Sequence, residues 1–170
     1  PELLEESKAV ANYLSMPEDE ILYDEIASTV DNQRRHIKNV HDSKTDACTI
    51  FAIHENSKTF VGRNYDWDPS ARNYFQTYNL KIGNSYHYYA FSDEGTYPRH
   101  YRRRTWKLYM EDAINEHGLY IGLTASKLRE KYWNYGFSPY HIIRYVAEHC
   151  KTTKEALAVF RKVPVSVPKN

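Results

Sequence analysis

Cys48 stands first among the residues equipped for chemistry. It opens an apolar run within D-A-C-T-I-F-A-I-H-E-N-S-K-T-F-V-G-R-N-Y-D-W, residues 46–67, and a return run brings Arg63, Asn64, Tyr65 and Asp66. A thiolate is a strong nucleophile, and a neighbouring guanidinium favours the charged sulfur and can orient a carbonyl or carboxylate. Were the Ala47–Cys48 bond cut, Cys48 would own a free α-amine with an unperturbed pKa of about 7.7–8.0. Such an amine can act as base for its own thiol, and Asp66 is suited to hold it when protonated. A buried structural cysteine beside an exposed Arg63–Asp66 pair fits the same residues, and the spacing alone leaves both readings open.

Other candidates carry less. The run R-H-Y-R-R-R-T-W-K, residues 99–107, looks like a phosphate patch interleaved with aromatics, but such runs are more often solvated loops. His54, His87, His100 and His117 are scattered, with no H-E-x-x-H spacing. A Cys48–His dyad is conceivable, although C-T-I-F lacks the papain-type signature and opens a strand rather than a helix. Cys48 and Cys150 form neither a disulfide framework nor a zinc site, so no metal is expected. A net charge of +1, from 23 basic and 22 acidic residues, argues against a nucleic-acid binder. Mean hydropathy of −0.76, with no apolar run near the ~18 residues of a span, predicts a soluble chain without a membrane segment. A working thiol suits a reducing compartment, hence a cytoplasmic location.

These residues need elements to place them. Residues 2–14 have helical spacing with Leu3, Val10 and Leu14 inward. Ser15 reads as an N-cap, with Pro17 in the first turn of a second helix that buries Ile21, Leu22, Ile26 and Val30. Residues 42–47, D-S-K-T-D-A, read as an exposed, cuttable connector. From Thr49 the period becomes that of a strand, H-E-N-S-K is a turn, and Thr59–Tyr65 returns. If Ile53 pairs near Lys58, Cys48 lies opposite Arg63. A second hairpin is expected from Tyr74–Ile82 and Tyr86–Phe91, a weak strand or short helix at Trp106–Met110, and a strand at Leu119–Leu123 after the turn N-E-H-G. Two helices follow, one capped by Ser138 with Pro139 first, the other by a Thr152/Glu155 capping box.

Three ordered motifs, D-A-C-T-I-F-A-I, G-R-N-Y-D-W and E-D-A-I-N-E-H-G-L-Y-I-G-L, together resemble the choloylglycine hydrolase and penicillin V acylase group of N-terminal-nucleophile hydrolases. The resemblance covers Cys48 to Leu123. It implies an α+β chain forming part of a four-layer αββα sandwich, preceded by a helical N-terminal extension, with residues 1–47 a leader and 48–170 the first part of the hydrolase domain. It implies that Cys48, Arg63 and Asp66 are catalytic, that the chain cleaves itself between Ala47 and Cys48, and that a linear amide is hydrolysed through a thioester. Asn64, Thr124 and Asn115 are the substrate or oxyanion candidates. Thr124 stands where bile salt hydrolases have Asn, which argues against bile salts in particular. The family's later Asn and Arg are expected beyond Asn170. No cofactor is implied; the expected partners are a small N-acyl amide and further copies of the chain as a homo-oligomer. An acyltransferase using the same nucleophile, or a non-catalytic binding module on this fold, are the alternatives.

Overall fold

A computed structural model describes residues 2–21, 47–66, 69–73, 75–92, 110–124 and 136–165. The chain divides into two compact units, one of Pro1–Asn39 with Thr96–Leu108, the other of Val40–Gly95 with Tyr109–Asn170. In the first unit, α1 (Glu2–Leu14) buries the small residues Ser7 and Ala11, one helical turn apart, and leaves Val10 half-buried. The side chains of Leu3 and Leu14 lie outside the described set. Ser15 differs from expectation: its φ of 54° is left-handed, and the Ser15 and Met16 amides bond back to the Asn12 and Ala11 carbonyls. That is the geometry of a helix C-terminus, so Ser15 closes α1 instead of capping a second helix. Helical backbone resumes at residue 18 and Ile21 is buried; Leu22, Ile26 and Val30 fall outside the described residues.

The second unit holds two antiparallel sheets. The first is a hairpin of β1 (Ala47–Glu55) and β2 (Lys58–Asp66). Asn56 and Ser57 join them with φ of 50° and 61°, the mirror-image turn whose twist suits two strands. Because this turn uses only two residues, Glu55 pairs with Lys58 and Ile53 with Phe60. The register therefore lies two residues from the expected one: Cys48 sits opposite Tyr65, and Arg63 opposite Ile50. A slip of two, unlike a slip of one, keeps every side chain on its face. Cys48, Ile50, Arg63 and Tyr65 still share one side.

The second sheet runs β3 (Gln76–Leu80), β4 (Tyr88–Ser92), β5 (Asp112–Asn115) and β6 (Tyr120–Gly122), all antiparallel neighbours. Strand alternation gives it two faces. One carries Tyr88, Ala90, Ala113 and Asn115 against α2 (Pro139–His149), where Tyr88 Oη donates to Glu148 at 2.9 Å. The α2 chain then enters α3 (Thr153–Lys162), whose Thr152 cap accepts from the Glu155 amide at 3.3 Å. Leu119, Ile142, Val146, Cys150 and Ala156 form the core on this side. The other face carries Phe91, Asp112 and Gly122 towards the hairpin, where the Tyr65 ring meets Phe91 edge-on at 5.7 Å. On the hairpin's far face Phe51, Ile53 and Phe60 are all more than half exposed. The described residues thus form a mixed α/β structure of two antiparallel sheets with helices. None of its described helices is long and apolar enough to cross a membrane.

Candidate active site

The hairpin carries Arg63 into the space between the two sheets, leaving its side chain 9% exposed. There the guanidinium divides its donors. Nη1 donates to Asp112 Oδ2; Nη2 donates to the Leu123 carbonyl at 2.6 Å and lies 3.5 Å from Cys48 Sγ. Asp112 is itself buried, and its Oδ1 accepts from Tyr120 Oη at 2.9 Å. The Arg63 guanidinium also lies 4.7 Å from the centre of the Tyr65 ring, which packs edge-on to Phe75 and Phe91. Its Nε is buried with no hydrogen-bond partner among the described residues.

Desolvation opposes the charge on Arg63, but hydrogen bonds to Asp112 and Cys48 outweigh it, and the guanidinium is held more firmly charged than usual. Burial pushes the Asp112 carboxyl above its ordinary value, against the pull of the Arg63 and Tyr120 donors. Burial, reinforced by the Asp112 charge, likewise pushes the Tyr120 hydroxyl up, so it remains a donor at any ordinary pH. Chemically the arrangement is a half-buried thiol facing a fixed cation, with an aromatic wall beside it.

The other expected residues fall in different places. Asp66 is paired with Ala47 across the ladder, so it sits beside the backbone of the Ala47–Cys48 bond, on the face away from the thiol. Asn64 shares that outer face and donates to Asp66 Oδ1 at 2.8 Å. Thr124 directly follows Leu123, the carbonyl of which anchors Arg63, and is half-buried. Asn115 lies on the helix side of its sheet, with its whole capacity in use. Its Nδ2 donates to the Ala147 and Cys150 carbonyls at 3.1 and 2.7 Å, and its Oδ1 accepts from the His117 and Leu119 amides. It ties a turn to a helix end and points away from Cys48. Trp67, His100 and the arginines at 102–104 lie outside the described residues. His54 bonds Thr59, His87 bonds Asn79 and His117 packs on Tyr86; among the described residues no histidine bonds Cys48 and no cluster suits a metal.

Reasoning from the sequence missed Asp112 and Tyr120. Both lie in the quoted E-D-A-I-N-E-H-G-L-Y-I-G-L stretch. The available signal was an acid at the head of the short apolar pair Ala113–Ile114 that leads into the N-E-H-G turn. Nothing local to it announces a partner 49 positions earlier.

No curated protein and no solved structure gives a significant match to this chain. The family model for acyl-coenzyme A:6-aminopenicillanic acid acyl-transferase matches residues 53–168, more than half of the 170. The match spans Arg63, Asp66, Asp112, Gly122 and Thr124, and Cys48 lies just ahead of it. The chain belongs to this acyl-transferase family, one of the choloylglycine hydrolase and penicillin acylase-like N-terminal-nucleophile families that its motifs resemble.

Proposed function

We propose that this chain carries the nucleophile of a cysteine N-terminal-nucleophile amidase, which moves the acyl group of a linear amide onto Cys48 and then to water. Activation comes first. Cys48 Sγ attacks the Ala47 carbonyl carbon, the peptide C–N bond breaks as the acyl group moves to sulfur, and water hydrolyses the thioester. Residue 47 then ends in a carboxylate and Cys48 begins with a free α-amine. In turnover that amine takes the thiol proton, sulfur attacks the substrate carbonyl, and the leaving amine takes the proton back. Water, deprotonated by the same α-amine, cleaves the acyl thioester to acid and free thiol.

Within this reading Arg63 stabilises the thiolate and Asp66, beside the 47–48 bond, holds the α-ammonium. Thr124, next to the Leu123 carbonyl that anchors Arg63, is the candidate oxyanion donor, and Asn64, on the outer face, supports Asp66 instead. The division into a 1–47 leader and a 48–170 hydrolase part, the four-layer αββα sandwich, an N-acyl amide substrate, a homo-oligomer and a cytoplasmic location belong to the same proposal. What supports it most is the Arg63 Nη2 held 3.5 Å from Cys48 Sγ in a chain of this family. The family's description also favours a second reading, in which an amine replaces water as acyl acceptor. Cys48→Ala is expected to abolish release of acid from an N-acyl amide. Full activity in that variant would contradict the role of Cys48, and a new amide formed with a competing amine would favour acyl transfer.

A further inference from the structure

We infer that Asp112 is the positioning residue for Arg63, and that Gly122 is the clearance that lets Asp112 take that position. The inference rests on the reading of Cys48 as nucleophile. An arginine side chain has many rotamers, and a donor 3.5 Å from a sulfur is useful only if it stays there. Two contacts fix the plane of this one: Asp112 takes Nη1, and the Leu123 carbonyl takes Nη2 on the edge that meets Cys48. Asp112 is fixed in turn by Tyr120 Oη on its other oxygen.

Gly122 stands directly across the ladder from Asp112. A Cβ built at residue 122 would come within 2.5 Å of Tyr120 Oη, closer still to Asp112 Oδ1, and within 3.0 Å of Ile50 Cδ1 on the hairpin. Gly83 and Gly118 have positive φ, whereas Gly122 does not. Its lack of a side chain therefore serves space and not backbone freedom. Any larger residue must push apart the Asp112–Tyr120 contact or lift the hairpin, and either displaces Arg63 from Cys48.

A competing role for Asp112 is simple counter-charge, which would dampen the pull of Arg63 on the thiolate. The two roles predict opposite shifts. The rate of Cys48 alkylation by iodoacetamide is measured against pH by peptide mass, with kcat and KM for an N-acyl amide, in Asp112→Asn, Tyr120→Phe and Gly122→Ala. Positioning predicts that the alkylation midpoint moves to higher pH in all three, and that kcat falls by roughly 10- to 100-fold with KM much less affected. Gly122→Ala is the sharpest of the three because it removes no polar group, and Tyr120→Phe removes one hydroxyl while keeping its packing. An unchanged midpoint, or one that falls, overturns the inference. Loss of activity in Cys48→Ala with unchanged profiles in these variants sinks the inference alone. Retained activity in Cys48→Ala sinks the proposed function, while the alkylation profiles still decide whether Asp112 positions Arg63.

Discussion

Arg63 is a charge that β2 carries into a largely buried space, and its partners decide what it can do there. A buried pair such as Arg63–Asp112 is costly to form, and removing one member leaves the other uncompensated at about 3–5 kcal/mol. That penalty ties the integrity of the inter-sheet space to the geometry at Cys48. The second thiol behaves differently. Cys150 is buried in the core below α2, and burial, with help from Glu155, pushes its thiol above the ordinary value of 9.0. The unfolded thiol then loses its proton at lower pH than the folded one, so the folded state binds more protons and stability falls as pH rises above 9. Urea unfolding of wild type and Cys150→Ala across pH 8–10.5 should show the wild type losing more stability; parallel curves would contradict it. In the sequence, the common face of Cys48 and Arg63 was legible from the period of two. Asp112 was not, because a carboxylate's partner from another sheet leaves no mark on its own segment.

Elements show the same division. The two C-terminal helices begin where their signals place them, with a difference at each cap. Pro139 begins α2 but the Ser138 side chain makes no cap hydrogen bond, and Thr152 caps α3 while the Glu155 carboxylate accepts from the Lys151 amide rather than that of Thr152. Both hairpins exist, and local turn chemistry explains them. The register of β1–β2 was off by two because Asn56 and Ser57 alone accommodate left-handed backbone, which a five-residue polar turn does not reveal. The strand β5 was absent from the sequence reading. It is four residues long, with Asp112 and Asn115 buried at its ends, where polar residues ordinarily mark a loop. Asn115 makes that strand worth having, since it satisfies two amides of the β5–β6 turn and two carbonyls at the end of α2. Asn115→Ala should therefore lower stability by about 2–4 kcal/mol, several buried groups losing partners at once. A urea midpoint equal to that of wild type would contradict this structural role.

For the molecule as a whole, membership of the acyl-transferase family and the meeting of Cys48 with Arg63 rest on independent grounds, one on residues 53–168 and the other on side-chain geometry. Their conjunction gives the account its central claim: the Ala47–Cys48 bond is the switch, and Cys48 carries the acyl group. Three motifs made the family legible in the sequence, because their order and separation survive where individual residues are ambiguous. The exposure of the hairpin's far face was not, since Phe51, Ile53 and Phe60 read as strand residues whether or not they are covered. The most direct test is the intact mass of the protein during turnover of an N-acyl amide. The account predicts a chain that begins at Cys48 and, on acid quench, carries one acyl group as a thioester on that residue. An uncleaved chain that turns over the amide, or an acyl group carried anywhere but Cys48, would contradict it.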